Sequence, residues 1–391
     1  PPNLINILLV SAYWYQVAVT SPYLWTYITV TSEMKRKYRE HAIHIIKRDL
    51  LRSKECPLNV VIKVRRWNFD DSVESLLEVA GKHSHRWRTL LVRALAPRAV
   101  KILEQLHLPQ LFSVSYAGHL PGVNVKLDAP HLKSFHAFKR GECFTFAEPE
   151  PVLTLLSYSL FRNGTQGLLE HLRRSQYTLT TLRIRASGPQ SNPISDTSTQ
   201  LFSVSPGLSF PALTEYFVTF DSDRWDWNVF HMGQMAQLRK LTIRWRSFRN
   251  PPLTAEVFIM PQLRILAICA DDPDGFENAI LPLLATAPNL EELRLAQATP
   301  SPWTNREGWI PPLLSEEQEP AELVCPRLAV LRLCKITIPR WDDLKRLASR
   351  RPGFTKLSLD SICWGDSKGE EQDLTLLKQC FDIVVEDGLE F

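Results

Sequence analysis

A short pattern with one proline and three aliphatic positions, Pro-x-Leu-x-x-Leu-x-Leu, recurs along this 391-residue chain. Clean copies span 261–268, 288–295 and 326–333. Weaker copies, some without the proline, bring the total to eleven, with lead positions at Trp87, Leu111, Leu132, Leu153, Leu179, Leu213, Leu238, Leu263, Leu290, Leu328 and Phe354. Such periodicity indicates stacked units, because one unit of this size cannot bury its apolar face alone.

The spacing of the lead positions indicates the kind of unit. Eight of the ten intervals fall within 20–29 residues, the period of leucine-rich repeats. The two longer intervals contain polar insertions near 186–209 and 298–322. In Leu-x-x-Leu-x-Leu the last two aliphatic residues lie on one face of a short strand, and the residues between them point the other way. We therefore predict an α/β fold: a right-handed, horseshoe-like leucine-rich-repeat solenoid over 57–391, with a C-terminal cap near 371–391.

Amphipathic segments predict helices between the strands. After Asp71, apolar residues at positions 73, 76, 77 and 80 form one helical face, and Gly81 is a typical helix stop. A linking helix is predicted within 31–56, with Ile46 and Leu50 on its apolar side.

Composition and charge argue against several classes of protein. The chain has 28 prolines and only 15 glycines, which weighs against glycine-rich phosphate loops. A net charge of +4 without a concentrated basic stripe gives no sign of nucleic-acid binding. The longest apolar stretch, 4–19, is interrupted by polar residues, so we expect no membrane association. Seven irregularly spaced cysteines favour a reducing compartment, the cytoplasm or the nucleus.

Motifs that carry chemistry are also missing. The sequence contains no nucleotide-binding or hydrolase signature, and the pair His83 and His85 lacks a third metal ligand at a useful spacing. We therefore predict a protein that is not an enzyme, with no catalytic residue, no bound metal and no cofactor.

The N-terminal segment carries a second pattern, Val-Ser-x-x-Trp-x-x-x-Ala followed by Pro-x-Leu-Trp, over residues 10–25. It resembles the second half of an F-box. The segments 56–60 and 83–87 are similar to signatures of fungal F-box proteins with leucine-rich repeats, where the first marks the opening edge strand and the second leads into the repeats. With the repeats, the resemblance spans nearly the whole chain. An F-box usually has another helix upstream, whereas Pro1 lies close to the pattern, so we expect that helix to be missing or compressed.

The resemblance implies the substrate-recognition subunit of an SCF-type cullin–RING ubiquitin ligase. A short helical partial F-box over 1–30, made of its C-terminal helices, would dock on a Skp-type adaptor and its cullin scaffold, and the repeats would hold a protein target. The adaptor-binding residues implied by the motif are Val10, Trp14, Pro22, Leu24 and Trp25. The alternative is a leucine-rich-repeat scaffold that binds other proteins without any ubiquitin-ligase association.

Basic residues dominate the positions predicted to line the concave face of the repeats. Arginine is suited to bidentate contacts with carboxylate or phosphate, so we expect an acidic or phosphorylated protein target. The candidate partner-binding residues are Arg183, Arg185, Phe217, Lys240, Arg244, Trp245, Arg294 and Arg332. The alternative is that these arginines are solvated side chains of ordinary exposed strands.

Overall fold

The computed structural model divides the chain into two compact units, Pro1–Leu179 and Thr180–Phe391. It describes residues 4–32, 38–63, 71–95, 97–117, 125–138, 144–160, 165–186, 208–220, 235–245, 260–270, 283–297, 325–334, 337–338, 344, 347, 349, 351, 353–360, 363–364 and 382–385. The chain is a mixed α/β protein, and within the described ranges the paired strands of each unit run parallel.

The first unit begins with a helix pair that leads into an edge strand. Its first elements are α1 (Leu4–Val10), α2 (Ala12–Thr20), a 3-10 helix (Pro22–Trp25), β1 (Tyr27–Thr31), α3 (Arg39–Arg52), β2 (Leu58–Lys63) and α4 (Asp71–Gly81). A second 3-10 helix (Ser84–Arg86) then precedes β3 (Trp87–Val92), α5 (Pro97–Glu104), β4 (Ser113–Tyr116), β5 (Val125–Leu127), β6 (Ser134–Ala137), β7 (Phe144–Phe146), β8 (Leu155–Leu160) and α6 (Thr165–Ser175). Its main sheet has the order β1-β2-β3-β4-β6-β8, and β5 pairs with β7 separately.

The second unit is described mainly through its strands. They are β9 (Thr181–Ala186), β10 (Glu215–Phe220), β11 (Lys240–Trp245), β12 (Ile265–Ala270), β13 (Glu292–Gln297), β14 (Val330–Cys334), β15 (Thr337–Ile338), β16 (Lys356–Asp360), β17 (Cys363–Trp364) and β18 (Asp382–Val385). The main sheet of this unit has the order β9-β10-β11-β12-β13-β14-β16-β18, and β15 pairs with β17.

The predicted repeats and the observed strands agree closely. Each of the eleven repeats contributes one strand to the main sheet of its unit, and ten of these strands begin two residues after the lead position. The exception is β3, which begins at its lead residue Trp87. All eleven lead side chains are buried. The predicted strand positions are therefore confirmed.

The inward side chains of neighbouring strands form continuous rows. Leu241 of β11 lies opposite Leu266 of β12, which lies opposite Leu293 of β13, and all three are buried. Burying one such side chain contributes about 1.5–3 kcal/mol. Because the repeat period keeps the strands in register, each further repeat of this unit extends the same apolar rows.

The helices of the first unit pack as the sequence indicates. Helix α4 buries the apolar face predicted after Asp71, including Leu76 and Leu77, and α3 buries Ile46 and Leu50. The predicted helices in these two places are confirmed.

Four strands were not predicted from the sequence. Strand β1 lies in a region predicted to be helical, and it, rather than β2, forms the edge of the first unit's main sheet. The short strands β5 and β7 were not anticipated, and β18 lies within the predicted C-terminal cap. Most of that cap, and both predicted insertions almost entirely, lie outside the described residues.

Candidate partner-binding surfaces

Ser11 lies between the two N-terminal helices and caps the start of α2. This residue is extended, and its Oγ accepts a hydrogen bond of 3.3 Å from the backbone N–H of Trp14, the third residue of α2. Such a cap satisfies a backbone donor at the start of a helix. It therefore separates α1 from α2 and sets the direction in which α2 begins.

Trp25 belongs to the core of the first unit. Its side chain is 2% exposed, and its Nε1 donates a hydrogen bond of 2.7 Å to the carbonyl oxygen of Ala18. The guanidinium carbon of Arg52 lies 4.3 Å from the centroid of the indole ring, and that of Arg48 lies 5.3 Å away. Trp25 was predicted to contact an adaptor, but burial under these side chains removes it from the surface. Its role in this conformation is structural.

The other predicted adaptor-binding residues keep solvent access. Val10 and Trp14 are exposed, and Pro22 and Leu24 are half-buried. Sequence reasoning missed Leu9 and Tyr13, which are exposed as well. Each lies next to a motif position in the sequence, but adjacent residues face different sides of a helix, so the motif alone did not point to them.

Leu9, Val10, Tyr13 and Trp14 form what we call the N-terminal aromatic surface. The rings of Tyr13 and Trp14 meet edge to face, with centroids 5.8 Å apart. Large apolar side chains that are exposed side by side on a soluble protein mark sites of interaction with other proteins. The chemistry of this surface therefore suits an apolar partner.

Helix α4 of the same unit can be compared directly with α2. Trp87 donates its Nε1 hydrogen to the carbonyl oxygen of Ala80, seven residues earlier, just as Trp25 does to Ala18. Trp25 is the last residue of a 3-10 helix and lies two residues before β1, whereas Trp87 directly follows a 3-10 helix and begins β3. The same seven-residue hydrogen bond therefore ties α2 to the segment before β1 and α4 to the start of β3.

The two helices differ in how much of that face is buried. In α4 the residues four and three positions before Ala80 are Leu76 and Leu77, and both are buried. The corresponding residues before Ala18 in α2 are Trp14 and Tyr15, and both are about half exposed. The face of α2 that would be covered by a neighbouring helix in the interior of the unit is thus open to solvent.

The second candidate surface is the outward face of the second unit, the side of its main sheet opposite the buried aliphatic rows. The strand register places outward residues in rows across the strands. One row is Arg183, Phe217, Thr242, Ala267, Arg294, Arg332 and Ser358, and the next is Arg185, Thr219, Arg244, Cys269, Ala296, Cys334 and Asp360. The predicted partner-binding residues of these strands, except Lys240 and Trp245, lie in these two rows.

Two of the predicted partner-binding arginines, Arg294 and Arg332, already bind a carboxylate of this chain. The Nε atoms of Arg294 and Arg332 donate to the same Oε1 of Glu292, at 2.9 and 2.5 Å. All three side chains are about four-fifths buried, with exposed fractions of 21%, 20% and 15% for Arg294, Arg332 and Glu292. The prediction treated these arginines as available to a target, whereas Glu292 neutralises part of their charge within the chain.

The arginines of β9 and β11 have a different environment. Arg183, Arg185 and Arg244 are exposed, and Phe217 and Lys240 are half-buried. Within the described part of the chain, Arg183 and Arg244 form no hydrogen bond or ion pair. The side chain of Trp245, the last residue of β11, lies outside the described residues.

Part of the outward face is closed to solvent. Cys269, Ala296 and Cys334 form a buried cluster on three successive strands, and Ala267 and Ser358 in the adjacent row are buried too. The outward positions of β12 to β16 are therefore covered in part, whereas Arg294, Arg332 and Lys356 keep some solvent access. On β9 and β11 the outward residues Arg183, Arg185 and Arg244 are exposed, but the neighbouring Thr219 and Thr242 are buried.

The outward face of the first unit has different chemistry. Ser113, Ser134, Ser115, His136 and Ser157 occupy neighbouring outward positions on β4, β6 and β8, and none of them is an acid or a permanent cation. Ser134 Oγ lies 2.8 Å from His136 Nε2, and Ser134 is buried. This pair satisfies two polar groups locally.

Neither a membrane span nor a metal centre is evident in the described ranges. No helix there is long and apolar enough to cross a bilayer. Nor do three or more His, Cys, Asp or Glu side chains of the described residues gather into a set of metal ligands.

Comparison with known proteins leaves the chain without an assigned relative. No family model matches it, and no curated protein matches it.

Proposed function

We propose that this protein is the substrate-recognition subunit of an SCF-type cullin–RING ubiquitin ligase, working in the cytoplasm or the nucleus. In this proposal the N-terminal aromatic surface binds a Skp-type adaptor that carries the cullin scaffold, and the repeats hold a protein target. The chain performs no chemical step. It raises the effective concentration of the target beside the enzyme that transfers ubiquitin, which is catalysis by proximity.

The fold that goes with this proposal is a right-handed leucine-rich-repeat solenoid. Support comes from the intervals between the lead positions, from the parallel pairing of strands in register, and from the burial of the same two positions in strand after strand. In such a solenoid the outward strand residues form an extended surface that suits a protein better than a small metabolite.

The observation that carries the adaptor half of the proposal is the open apolar face of α2. Trp14 is 47% exposed at a position whose counterpart in α4, Leu76, is fully covered. Exposing aromatic side chains in this way is unfavourable unless a partner covers them. The segment is also the one whose sequence resembles an F-box, so an adaptor is the partner that both lines of reasoning favour.

One observation favours the second candidate, a leucine-rich-repeat scaffold without a ligase. The Pro-x-Leu-Trp part of the motif has a structural explanation, because Trp25 packs beneath Arg52 and bonds to Ala18. A motif explained by packing is weaker support for adaptor binding than a motif that lies entirely on the surface.

Affinity purification of the full chain from a fungal host separates the two candidates. The wild-type protein is compared with a Tyr13→Ala/Trp14→Ala variant, and copurified adaptor and cullin are quantified by mass spectrometry. Tyr177→Ala is the matched control, because Tyr177 is as exposed as Tyr13, at 68% against 71%, but lies just after α6. Trp25 is left intact, since its removal is expected to damage the core.

A ligase subunit retains adaptor and cullin in the wild-type and Tyr177→Ala purifications and loses both in the Tyr13→Ala/Trp14→Ala variant. Absence of adaptor and cullin from the wild-type purification would refute the receptor and leave the scaffold. Equal recovery with all three proteins would refute the assignment of the adaptor to the N-terminal aromatic surface.

A further inference from the structure

Strand β1 forms one edge of the first unit's main sheet, and part of its backbone faces away from that sheet. Among the strands that the structure describes, it pairs with β2 alone. The N–H of Asn59 in β2 donates to the carbonyl oxygen of Thr26 at 2.8 Å. Only every second residue of a strand bonds to a given neighbour, so the N–H and carbonyl groups of Tyr27 and Thr29 point away from β2. Within the described residues these groups of Tyr27 and Thr29 form no hydrogen bond.

Strand β1 also lacks the features that usually protect the edge of a sheet. Such edges carry a charged side chain, a proline or a bulge, or another element covers them. The sequence of β1 is YITVT, without a charge or a proline, and the strand pairs with β2 in unbroken register. Four of its five residues are β-branched, which favours an extended backbone. Tyr27 is 44% exposed, so the start of the strand is open to solvent.

We propose that β1 pairs with β1 of a second copy of this chain, in the antiparallel direction. The twofold axis passes beside Ile28, so that Ile28 lies opposite its own counterpart and Tyr27 lies opposite Thr29 of the second copy. Residues paired in this way exchange both of their backbone hydrogen bonds. The pairing therefore uses the backbone groups that β2 leaves open. This inference goes beyond the proposed function, because it concerns self-association rather than an adaptor or a target.

The side chains of β1 suit this arrangement. Ile28 and Val30 are buried on the inward side of the sheet, whereas Tyr27 and Thr29 lie on the outward side. Side chains of directly opposite residues in an antiparallel pair lie on the same face. Ile28 therefore meets an apolar counterpart on the inward side. On the outward side Tyr27 meets Thr29, and a pair of an aromatic and a β-branched residue is favourable across strands.

The charge of the neighbouring sequence favours the antiparallel direction. The chain continues from β1 into a basic run that contains Lys35, Arg36 and Lys37. Parallel pairing would bring the two runs together, where like charges repel, whereas antiparallel pairing sends them to opposite ends. A twofold pairing also uses the β1 edge of both copies, so the assembly stops at a dimer.

The size of the contact indicates how strong this dimer is. A standard protein interface buries about 800 Å² on each side, and one pair of five-residue strands covers less than that. We therefore expect a dissociation constant of about 1–100 μM. Sedimentation velocity of the full chain over about 1–200 μM covers this range.

The first variant tests the backbone of β1. Thr29→Pro removes an N–H that makes no bond within the described chain, and proline is tolerated on the open side of an edge strand. Thr29→Ala is the matched control, because it changes the side chain and keeps the N–H. Tyr13→Ala/Trp14→Ala shows whether the N-terminal aromatic surface causes association instead. Far-UV circular dichroism and urea midpoints establish that each variant is folded.

A pair of charged variants tests the register without using proline. Tyr27→Lys/Thr29→Lys places cations opposite each other across the twofold axis, and Tyr27→Glu/Thr29→Glu places anions there. Each variant alone is expected to be monomeric, because like charges directly opposite are destabilising. An equimolar mixture is expected to form a heterodimer, since every substituted residue then faces the opposite charge.

Wild type, Thr29→Ala and Tyr13→Ala/Trp14→Ala should dimerise with dissociation constants within about twofold of one another. Thr29→Pro should weaken the dimer about tenfold or more, because each copy loses a hydrogen bond. A wild-type chain that stays monomeric, a dimer unaffected by Thr29→Pro, a dimer abolished by Tyr13→Ala/Trp14→Ala, oligomers larger than two, or no heterodimer in the charged mixture would each overturn the proposal. Adaptor copurification does not measure self-association, so failure of one test is distinguishable from failure of the other.

Discussion

The indole N–H of Trp25 donates to the carbonyl oxygen of Ala18 at 2.7 Å, and this bond joins the last turn of α2 to the segment that begins β1. Ala18 is fully buried, so no solvent reaches that carbonyl as a substitute partner. Trp87 and Ala80 repeat the arrangement at 3.2 Å between α4 and β3. The motif read as part of an F-box is therefore also the first helix-to-strand connection of the unit.

The two tryptophans of that motif are predicted to respond differently to truncation. Trp25→Ala removes a buried ring and should lower the free energy of unfolding by about 3–5 kcal/mol. Trp25→Phe keeps most of the apolar surface but leaves the Ala18 carbonyl unsatisfied, which should cost about 1–3 kcal/mol. Trp14→Ala, on the open face of α2, should cost less than about 1 kcal/mol. Urea unfolding measures all three, and equal losses for Trp14→Ala and Trp25→Ala would contradict the placement.

Arg86 connects the end of α3 to the start of β3. It is 3% exposed, and its Nη2 donates to the carbonyl oxygen of Cys56 at 2.9 Å and to Ser53 Oγ at 2.8 Å. We predict that Arg86→Met lowers the free energy of unfolding by about 3 kcal/mol, because two buried acceptors lose a charged donor. Arg86→Lys should recover only part of this, since an ammonium lacks the planar fork. The control is Arg88→Met, which removes an exposed arginine two residues later; a loss as large as that of Arg86→Met would count against the role of Arg86.

The buried rows of the second unit give a direct test of the strand register. Leu266→Ala and Leu293→Ala each remove a fully buried side chain and should cost about 2–5 kcal/mol. Lys240→Ala, on the opposite side of the same sheet, should change the free energy of unfolding by less than about 0.5 kcal/mol. Chemical denaturation followed by circular dichroism distinguishes these outcomes, and a register shifted by one residue would reverse them.

His171 of α6 makes the stability of the first unit depend on pH. Its ring packs against Phe135 and Phe146, with centroids 5.2 and 5.7 Å away. Burial lowers the pKa of His171 from 6.5 to about 4, and the positive charge of Arg174 acts in the same direction. A smaller opposing effect comes from Glu170 and from the backbone of Phe144.

The sign of this effect follows from proton linkage. The unfolded chain binds a proton at His171 more tightly than the folded chain does. The free energy of unfolding is therefore highest above pH 6.5 and decreases as the pH falls toward 4. The full effect is about 3 kcal/mol. Unfolding of wild type and His171→Leu should be compared across this range. The stability difference between them should shift toward the variant at low pH, and a constant difference would show that the pKa of His171 is the same in the folded and unfolded states.

The strands were predictable because one short pattern specifies each of them. In Leu263, Leu266 and Ile268 the spacing alone determines which side chains point inward, and the structure buries all three. Strand β1 was missed because Ile28 and Val30 stand alone after the tryptophan motif, without the lead leucine that marks later repeats. The strands β5 and β7 have only three residues each, too few to show a period.

The candidate surfaces were harder to predict, because they depend on contacts between repeats. The sequence offers no sign that Trp25 lies beneath Arg48 and Arg52, since those arginines come from α3. The contact of Glu292 with Arg332 could have been found by aligning the repeats, which places Arg332 opposite Arg294. The burial of Cys334 on the outward face had no signal in the repeat pattern, because a small residue fits either an open or a covered position.

Direct binding of a recombinant Skp-type adaptor–cullin complex to the purified full chain is the most decisive measurement. Isothermal titration calorimetry compares wild type, Tyr13→Ala/Trp14→Ala and Tyr177→Ala. Urea unfolding first establishes that the three proteins have the same unfolding midpoint. A substrate-recognition subunit predicts saturable one-to-one binding for wild type and Tyr177→Ala, and binding weakened by about tenfold or more for Tyr13→Ala/Trp14→Ala. Absence of binding by the folded wild-type chain would contradict the account.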